Sequence, residues 1–380
     1  MRSGWITTGP KTKKFETEIS SYCGTEKTIC LNSATSGLEL VLRLFGIGEG
    51  DEVITSAYTY TASASVISHI GARIILADTA AGSYEIDCEK LEGLINERTK
   101  AIIPVDLAGV ICDYEAVLQI VENKRHLFTP RTLLQQKLGR VLILGDAAHS
   151  FGSVRNGIVS GAHADFSVFS FHAVKNITTA EGGAVTWKSM NAESDEEIYR
   201  QIMLYALHGQ TKDAFSKMKT DGWEYDIVAP YYKCNMTDIL SSIGLAQLRR
   251  YDGLLKRRAE ITDLYNSLLD CADFSILRHT GDNFNSCKHL YMIRLNGRDE
   301  DFRNRVIVEL GKNGIAANVH FKPLPMLSAY KRLGFDIEDF PNAYNQYKNS
   351  ISLPLHTLLT DDEVCYVAES LLKVARIQNR

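Results

Sequence analysis

The chain is 380 residues long, with 45% hydrophobic and 23% charged residues and a formal net charge of −4. That balance excludes a disordered or fibrous protein, and the length leaves a soluble globular one of two or three domains with ample surface to bury. So small a charge gives no reason to expect nucleic acid or an anionic membrane as partner, and an anionic small molecule would need a local site.

Met1–Pro10 is mixed and polar, unlike a signal peptide, and no apolar run approaches the length that spans a bilayer. Ile29–Asn32 is a short, turn-bounded apolar run. Leu38, Leu40, Val41, Leu42, Leu44 and Phe45 then recur at helical spacing until Gly46, Gly48 and Gly50 stop the helix. Strands are predicted over Glu52–Thr55, Ile74–Ala77, Ala101–Val105, Val141–Leu144 and Phe166–Ser170, with helical stretches such as Tyr114–Glu122 between them. Near-continuous apolar strands separated by helices mark a parallel sheet covered on both faces. The polar, Pro130-bearing segment Lys124–Arg140 looks like an excursion before the Val141 strand. Beyond about residue 245 the texture changes. Ile243–Asn266 predicts one long helix rich in Leu and Arg, Leu290–Leu295 a strand, Arg303–Asn313 a basic amphipathic helix, and Asp361–Arg376 a last helix. The expected fold is α/β: a large domain over 1–245 with a mainly parallel sheet sandwiched by helices, then a smaller C-terminal α/β domain over 246–380.

Eight cysteines, at 23, 30, 88, 112, 234, 271, 287 and 365, include no C-x-x-C pair. They read as buried or free thiols of a reducing compartment, so a cytoplasmic protein without a metal site is expected.

In doubly wound sheets ligands bind at the carboxyl ends of strands, and several chemistry-bearing residues fall there. Asp146 follows the Val141 strand; it is either an N-cap or a carboxylate aimed into the crevice at a cationic ring nitrogen. His149, three residues on, could face the same site or be a satisfied hydrogen-bonding residue. Lys175 lies just past Phe166–Phe171 and before the turn Thr178–Ala184. A lone lysine is usually a solvated surface residue, but one in a desolvated crevice has a lowered pKa and a free amine for imine formation. Asn32–Gly37 places hydroxyls and amides at a helix start, which caps that helix or cradles a phosphate. Tyr58 and Tyr60, past the Val53 strand, are either core packing or a platform for a flat ring. There is no Walker lysine and no G-x-G-x-x-G. Together these supply the groups that pyridoxal 5′-phosphate (PLP) requires.

Ser33–Leu38, Gly46–Ile54, Asp146-Ala147-Ala148-His149, Phe169–Asn176, Asn235–Asp238, Gly244–Leu248 and His289-Leu290-Tyr291 occur in an order that resembles the DegT/DnrJ/EryC1/StrS sugar aminotransferases. The likeness runs nearly end to end. It implies the aspartate-aminotransferase-like fold (fold type I), PLP as cofactor with a pyridoxamine (PMP) form between half-reactions, and a homodimer with shared active sites. Position by position, the resemblance implies that Thr35, Ser36 and Ser170 bind the cofactor phosphate, Tyr60 stacks on the ring, Asp146 holds the ring nitrogen, and His149 sits near the ring hydroxyl. Lys175 would form the imine and move the proton, Lys233 would approach the phosphate across the dimer, and His320 would line the sugar-nucleotide side. The implied reaction moves an amino group from an amino acid, glutamate, to a nucleotide-linked keto-deoxysugar. A cyclitol or related keto substrate, or a non-catalytic paralogue, are the alternatives. Departures from the family pattern are Cys234, Asp106, Pro325 and the length of the Lys124–Arg140 excursion, each a candidate influence on substrate choice.

Overall fold

The computed structural model describes residues 4–190, 194–212 and 223–377. Its main sheet contains β1 (Thr28–Leu31), β2 (Glu52–Ser56), β3 (Arg73–Ala77), β4 (Thr99–Ile103) and β5 (Leu142–Asp146). After a ribbon formed by β6 (Val154–Arg155) and β7 (Ile158–Val159) come its last members, β8 (Phe166–Ser170) and β9 (Gly183–Trp187). The spatial order is β1-β9-β8-β5-β4-β2-β3. Pairs β2–β3, β2–β4, β4–β5 and β5–β8 are parallel, while β9 runs antiparallel to both neighbours.

Alternation along the strands accounts for their unbroken apolar character. Val53, Ala101, Leu142, Leu144 and Phe166 enter one core, and Ile54, Ile102 and Ile143 enter the core on the opposite face. Successive side chains point to opposite faces, so a strand covered on both sides carries apolar residues at consecutive positions, with polar ones such as Glu52 and Ser56 at its ends. Helix α1 (Ala34–Leu44) lies closely on the sheet because Gly37 carries no side chain. A Cβ there would lie 2.7 Å from Val168 and 2.9 Å from Val185. Ser33 caps α1 by accepting from the Ser36 amide at 3.1 Å, and Gly46, at φ 64°, takes the left-handed conformation just past the helix end.

The C-terminal part has its own sheet, β10 (Phe274–Ile276), β12 (Tyr291–Leu295) and β13 (Ser350–Leu353), all antiparallel; the short β11 (Phe284–Asn285) joins β6 instead. Helices Tyr251–Leu269, Glu300–Lys312 and Asp361–Ile377 close a second core around Tyr265, Tyr291, Ile293 and Leu371. Tyr330, Phe340 and Tyr347 pack back into the core of the main sheet.

Two expectations need correction. The single helix Ile243–Asn266 is two helices, Asp238–Leu248 and Tyr251–Leu269, broken at Arg249–Arg250. Each serves a different partner: Gly244 meets Phe15 of the N-terminal helix, while Tyr251 is anchored by its hydroxyl to the Phe151 carbonyl at 2.6 Å. One straight rod could not satisfy both contacts. The Lys124–Arg140 excursion carries a short helix, Leu133–Leu138, capped by Thr132, and it does not approach the carboxyl ends of the strands. Gln135 and Thr132 bond the Phe45 carbonyl at 2.8 and 3.2 Å, and Arg131 pairs with Asp51 at 3.0 Å, which docks it at the opposite edge of the sheet.

Candidate active site

The carboxyl ends of β2, β4, β5 and β8 open onto a cavity of about 700 Å³. The main-sheet region contributes Thr35, Tyr60, Asp146, His149, Ser170 and Lys175 to its lining, and the C-terminal part contributes His289, Asn318, His320, Phe321 and Ser352. Asp146 is the last residue of β5 and Ser170 the last of β8, and β5 pairs Asp146 with Val168. Parallel strands end together, so residues about twenty apart in sequence emerge at one edge. No helix follows Asp146. Its Oδ1 accepts from the Ala148 amide at 3.2 Å, so the carboxylate closes a tight turn and is no helix cap.

Lys175 and Asp146 are held in an apolar setting. Burial pulls the Lys175 amine down to about 8, and the nearby Asp146 carboxylate opposes that shift. Among the described residues the Lys175 Nζ makes no hydrogen bond and no ion pair. The neutral amine that imine formation requires is therefore a minor form near neutral pH but far more accessible than in a solvated lysine. Asp146 is 6% exposed, and burial raises its pKa; the Ser63 hydroxyl at 2.6 Å, the Ala148 amide and Lys175 work the other way. A buried carboxylate with one oxygen on a neutral hydroxyl can pair with a cationic ring nitrogen.

The anion-binding end is built where β1, β9 and β8 adjoin. Gly183 pairs with Leu31 on one side and Ser170 on the other, which sets it against the start of α1. A Cβ on Gly183 would lie 2.5 Å from the Ala34 amide nitrogen and 2.5 Å from the Ser33 carbonyl carbon. Only glycine leaves the first amides of α1 uncovered, and a helix N-terminus with open amides favours a phosphate. Thr35 and Ser170 line the cavity beside it, while Ser36 turns its hydroxyl back to Asn32 at 2.8 Å and to Ser33 at 3.0 Å.

Tyr60 is 60% exposed on the rim, with its ring 5.7 Å from that of Phe321, and Tyr58 is buried in the core. His149 lies in the cavity wall; burial holds its pKa well below the usual imidazole value, reinforced by Lys175 and His320. His320 is pulled down by burial and then by Lys175, and its Nδ1 lies 3.0 Å from the Ser352 hydroxyl. Lys233 stands apart: it is exposed, outside the cavity, and its amine contacts Asn235 of its own chain. Asp106 and Pro325 are also absent from the lining. Asp106 is buried, pushed up to about 7 by that burial, and bonded to Ser150, Tyr114 and the Cys112 amide.

Four site residues escape a reading of the sequence alone: Ser63, which holds Asp146; Asn176; His289; and Ala108, whose amide bonds His149 at 3.2 Å. His289 belongs to a recognisable motif, but nothing local ties it to strands more than a hundred residues earlier. Among the described residues no group of His, Cys, Asp and Glu could hold a metal ion, and no helix is long and apolar enough to cross a membrane.

A family model for the DegT/DnrJ/EryC1/StrS aminotransferases matches residues 1–372. Spr1654 from Streptococcus pneumoniae, which bears the name of a sugar aminotransferase, superposes in its PMP form with a TM-score of 0.97 at 52% identity. The match covers 99% of this chain and 94% of that one. The same protein is also solved in a PLP form. The spore coat polysaccharide biosynthesis protein SpsC of Bacillus subtilis is 35% identical over 380 residues, covering 99% of this chain and 92% of its own. The UDP-4-amino-4-deoxy-L-arabinose–oxoglutarate aminotransferase of Shewanella sediminis is 32% identical over 386 residues, covering 98% of this chain and 93% of its own.

Proposed function

The chain belongs to the DegT/DnrJ/EryC1/StrS aminotransferase family, and from that premise we propose that it moves an amino group from L-glutamate to the ketone of a nucleotide-linked keto-deoxysugar, with PLP as cofactor. The observation that carries this reading is the pairing, in one cavity, of the lowered Lys175 amine with the buried Asp146 carboxylate. The residues present suit the cofactor: open amides at the start of α1 above Gly183 for a phosphate, Asp146 for a ring nitrogen, and a flat aromatic, Tyr60, at the rim. When bound, PLP supplies an electron sink that stabilises the carbanion left by loss of a proton from the amino-bearing carbon.

The chain's own residues divide the remaining work. Thr35 and Ser170 would hold the phosphate, with Ser36 ordering the loop from behind. Asp146, held by Ser63, keeps the ring nitrogen protonated, because a buried carboxylate is stabilised by a cation at hydrogen-bond range. Lys175, with a pKa of about 8, anchors the cofactor and then carries the proton at Nζ as general base and acid. His149, its Nε2 left as the donor, would serve the ring hydroxyl, and His320 would serve the sugar side. The apolar wall of Leu290, Phe321 and Leu353 keeps water from that proton.

The preference for a nucleotide sugar and for glutamate rests on the names of the relatives, one of which pairs a UDP-amino sugar with oxoglutarate, the keto acid of glutamate. Polysaccharide biosynthesis in the name of SpsC supports a role in making an amino sugar for a glycan. A homodimer completes the site. Trp223, Tyr225, Ile227, Val228 and Tyr232 are exposed in near succession beside Lys233, an apolar patch suited to a second copy whose site Lys233 would enter. Eight free cysteines support a reducing, cytoplasmic setting.

The test is a panel of nucleoside-diphosphate keto-sugars incubated with the PLP-loaded enzyme and L-glutamate. Formation of an amino sugar with stoichiometric oxoglutarate supports the reading. Turnover only with non-nucleotide ketones, or no turnover with any member of the panel, refutes it.

A further inference from the structure

The loop after β4 grips two histidines at once. Ala108 is fully buried at φ 56° and ψ 11°, a left-handed conformation that residues other than glycine and asparagine rarely adopt. Its amide donates to His149 Nδ1 at 3.2 Å, and its carbonyl accepts the His289 amide at 3.1 Å. Gly109 follows at φ 92°, where a Cβ would lie 2.7 Å from Cys287 Sγ and 3.1 Å from the His149 carbonyl. Asp106 braces the start of the loop through Ser150 at 2.6 Å and Tyr114 at 3.0 Å. From the far side, buried Arg258 donates to the Lys288 and His289 carbonyls at 2.8 and 3.2 Å. So much order around two side chains implies that their orientation matters.

The hydrogen bonds also determine where each ring carries its proton. A backbone amide can only donate, so His149 Nδ1 is an acceptor and its proton is on Nε2. Asn176 donates through Nδ2 to the Cys287 carbonyl at 2.8 Å, which leaves its Oδ1 to accept from His289 Nδ1 at 3.0 Å. His289 therefore carries its proton on Nδ1, and its Nε2 has a free lone pair. The two ring centroids are 4.3 Å apart with the planes tilted by 40°, closer than the roughly 5 Å of an in-line N–H···N bond, so neither ring consumes the other's free edge. Burial keeps both rings neutral, and the neighbouring Lys175 amine reinforces it. The cavity wall thus offers one donor, His149 Nε2–H, and one acceptor, His289 Nε2.

We propose that His289 determines acceptor specificity: its unprotonated Nε2 takes a hydrogen bond from a hydroxyl of the keto-sugar. The proposal rests on the chain being a sugar aminotransferase. Two ligands must alternate in the cavity. An amino acid brings carboxylates, whose oxygens would face the His289 lone pair without a proton between them. A sugar brings neutral hydroxyls, which can donate. His289 therefore acts in one half-reaction and stays out of the other.

Three variants separate this role from a structural one. His289→Asn keeps a donor toward Asn176 and loses the acceptor; His289→Gln places a carbonyl oxygen where Nε2 was; His289→Phe keeps only the ring. With the best nucleoside-diphosphate keto-deoxyhexose of the panel, His289→Asn and His289→Phe are expected to raise KM about tenfold with a smaller change in kcat. Single-turnover consumption of L-glutamate by the PLP-loaded enzyme should stay within about twofold, and His289→Gln should recover most of the KM. Independently, ring ¹⁵N shifts of histidine-labelled protein should show His289 protonated at Nδ1 and His149 at Nε2. Equal losses in both half-reactions, an unchanged KM in His289→Asn, or a His289 spectrum with protonated Nε2 would overturn the proposal. If the wild type reacts neither with L-glutamate nor with any keto-sugar, the functional reading falls and takes the proposal with it, while the ring spectrum still judges the proton assignment.

Discussion

Replacing Lys175 by methionine should stabilise the cofactor-free protein, and by an amount that depends on pH in a defined way. Methionine keeps most of the aliphatic stem and removes the charge. Burial lowers the wild-type amine from 10.5 to about 8, so the charged form costs the fold about 3 kcal/mol at most, at ~1.4 kcal/mol per unit. Lys175 is only partly buried by surface exposure, so solvent relieves some of that, and a gain of roughly 1.5–3 kcal/mol is expected at pH 7. The sign follows from proton counting. Below pH 8 both folded and unfolded chains hold the proton, and the penalty is complete. Between pH 8 and 10.5 the unfolded chain still binds a proton that the folded one has shed, so wild-type stability climbs with pH and the gap to the variant closes. Urea unfolding of both cofactor-free proteins at pH 7 and pH 10 measures this gap directly. A variant less stable than wild type at pH 7, or a gap unchanged at pH 10, refutes the electrostatic account of the site.

Asp146→Asn should leave the fold intact and lower amino transfer by at least a hundredfold, since an amide cannot keep a ring nitrogen protonated; rates within threefold of wild type would remove Asp146 from its assigned role. Gly183→Ala forces a Cβ to 2.5 Å from backbone atoms at the start of α1, and is expected to weaken PLP binding by more than tenfold in a fluorescence titration; unchanged affinity would mean that those amides are not the phosphate site. Substitutions in the helix Leu133–Leu138, such as exposed Leu133→Ser, should leave the acceptor ranking unaltered in the keto-sugar panel. A changed ranking would contradict the placement of that segment at the far edge of the sheet.

Much of the fold is written locally. Strands buried on both faces carry runs of consecutive apolar residues, so Val53-Ile54, Ile74–Ala77 and Val168-Phe169 stand out in the chain, and the glycines after Phe45 mark a helix end. Strand-end chemistry is legible for the same reason: Asp146 and Lys175 sit where parallel strands stop. Features decided by partners distant in sequence are not legible. Nothing at Arg249–Arg250 resembles a helix breaker; the break arises because Phe15 and Phe151 pull the two halves in different directions. Gly183–Trp187 reads as the end of a glycine turn, and only its pairing with β1 and β8 makes it the antiparallel strand that opens the phosphate end. The Lys124–Arg140 excursion looks like a substrate loop until its bonds to Phe45 and Asp51 show which edge it occupies. His289 becomes a site residue only when the C-terminal sheet is laid against β4 and β5.

The central claim is that Lys175 is the amine through which the chain holds its cofactor, and one measurement bears on it most directly. Borohydride reduction of the purified, PLP-loaded protein followed by peptide mass mapping should place a phosphopyridoxyl adduct on Lys175. An adduct on any other lysine, or none after PLP is supplied, would contradict the account.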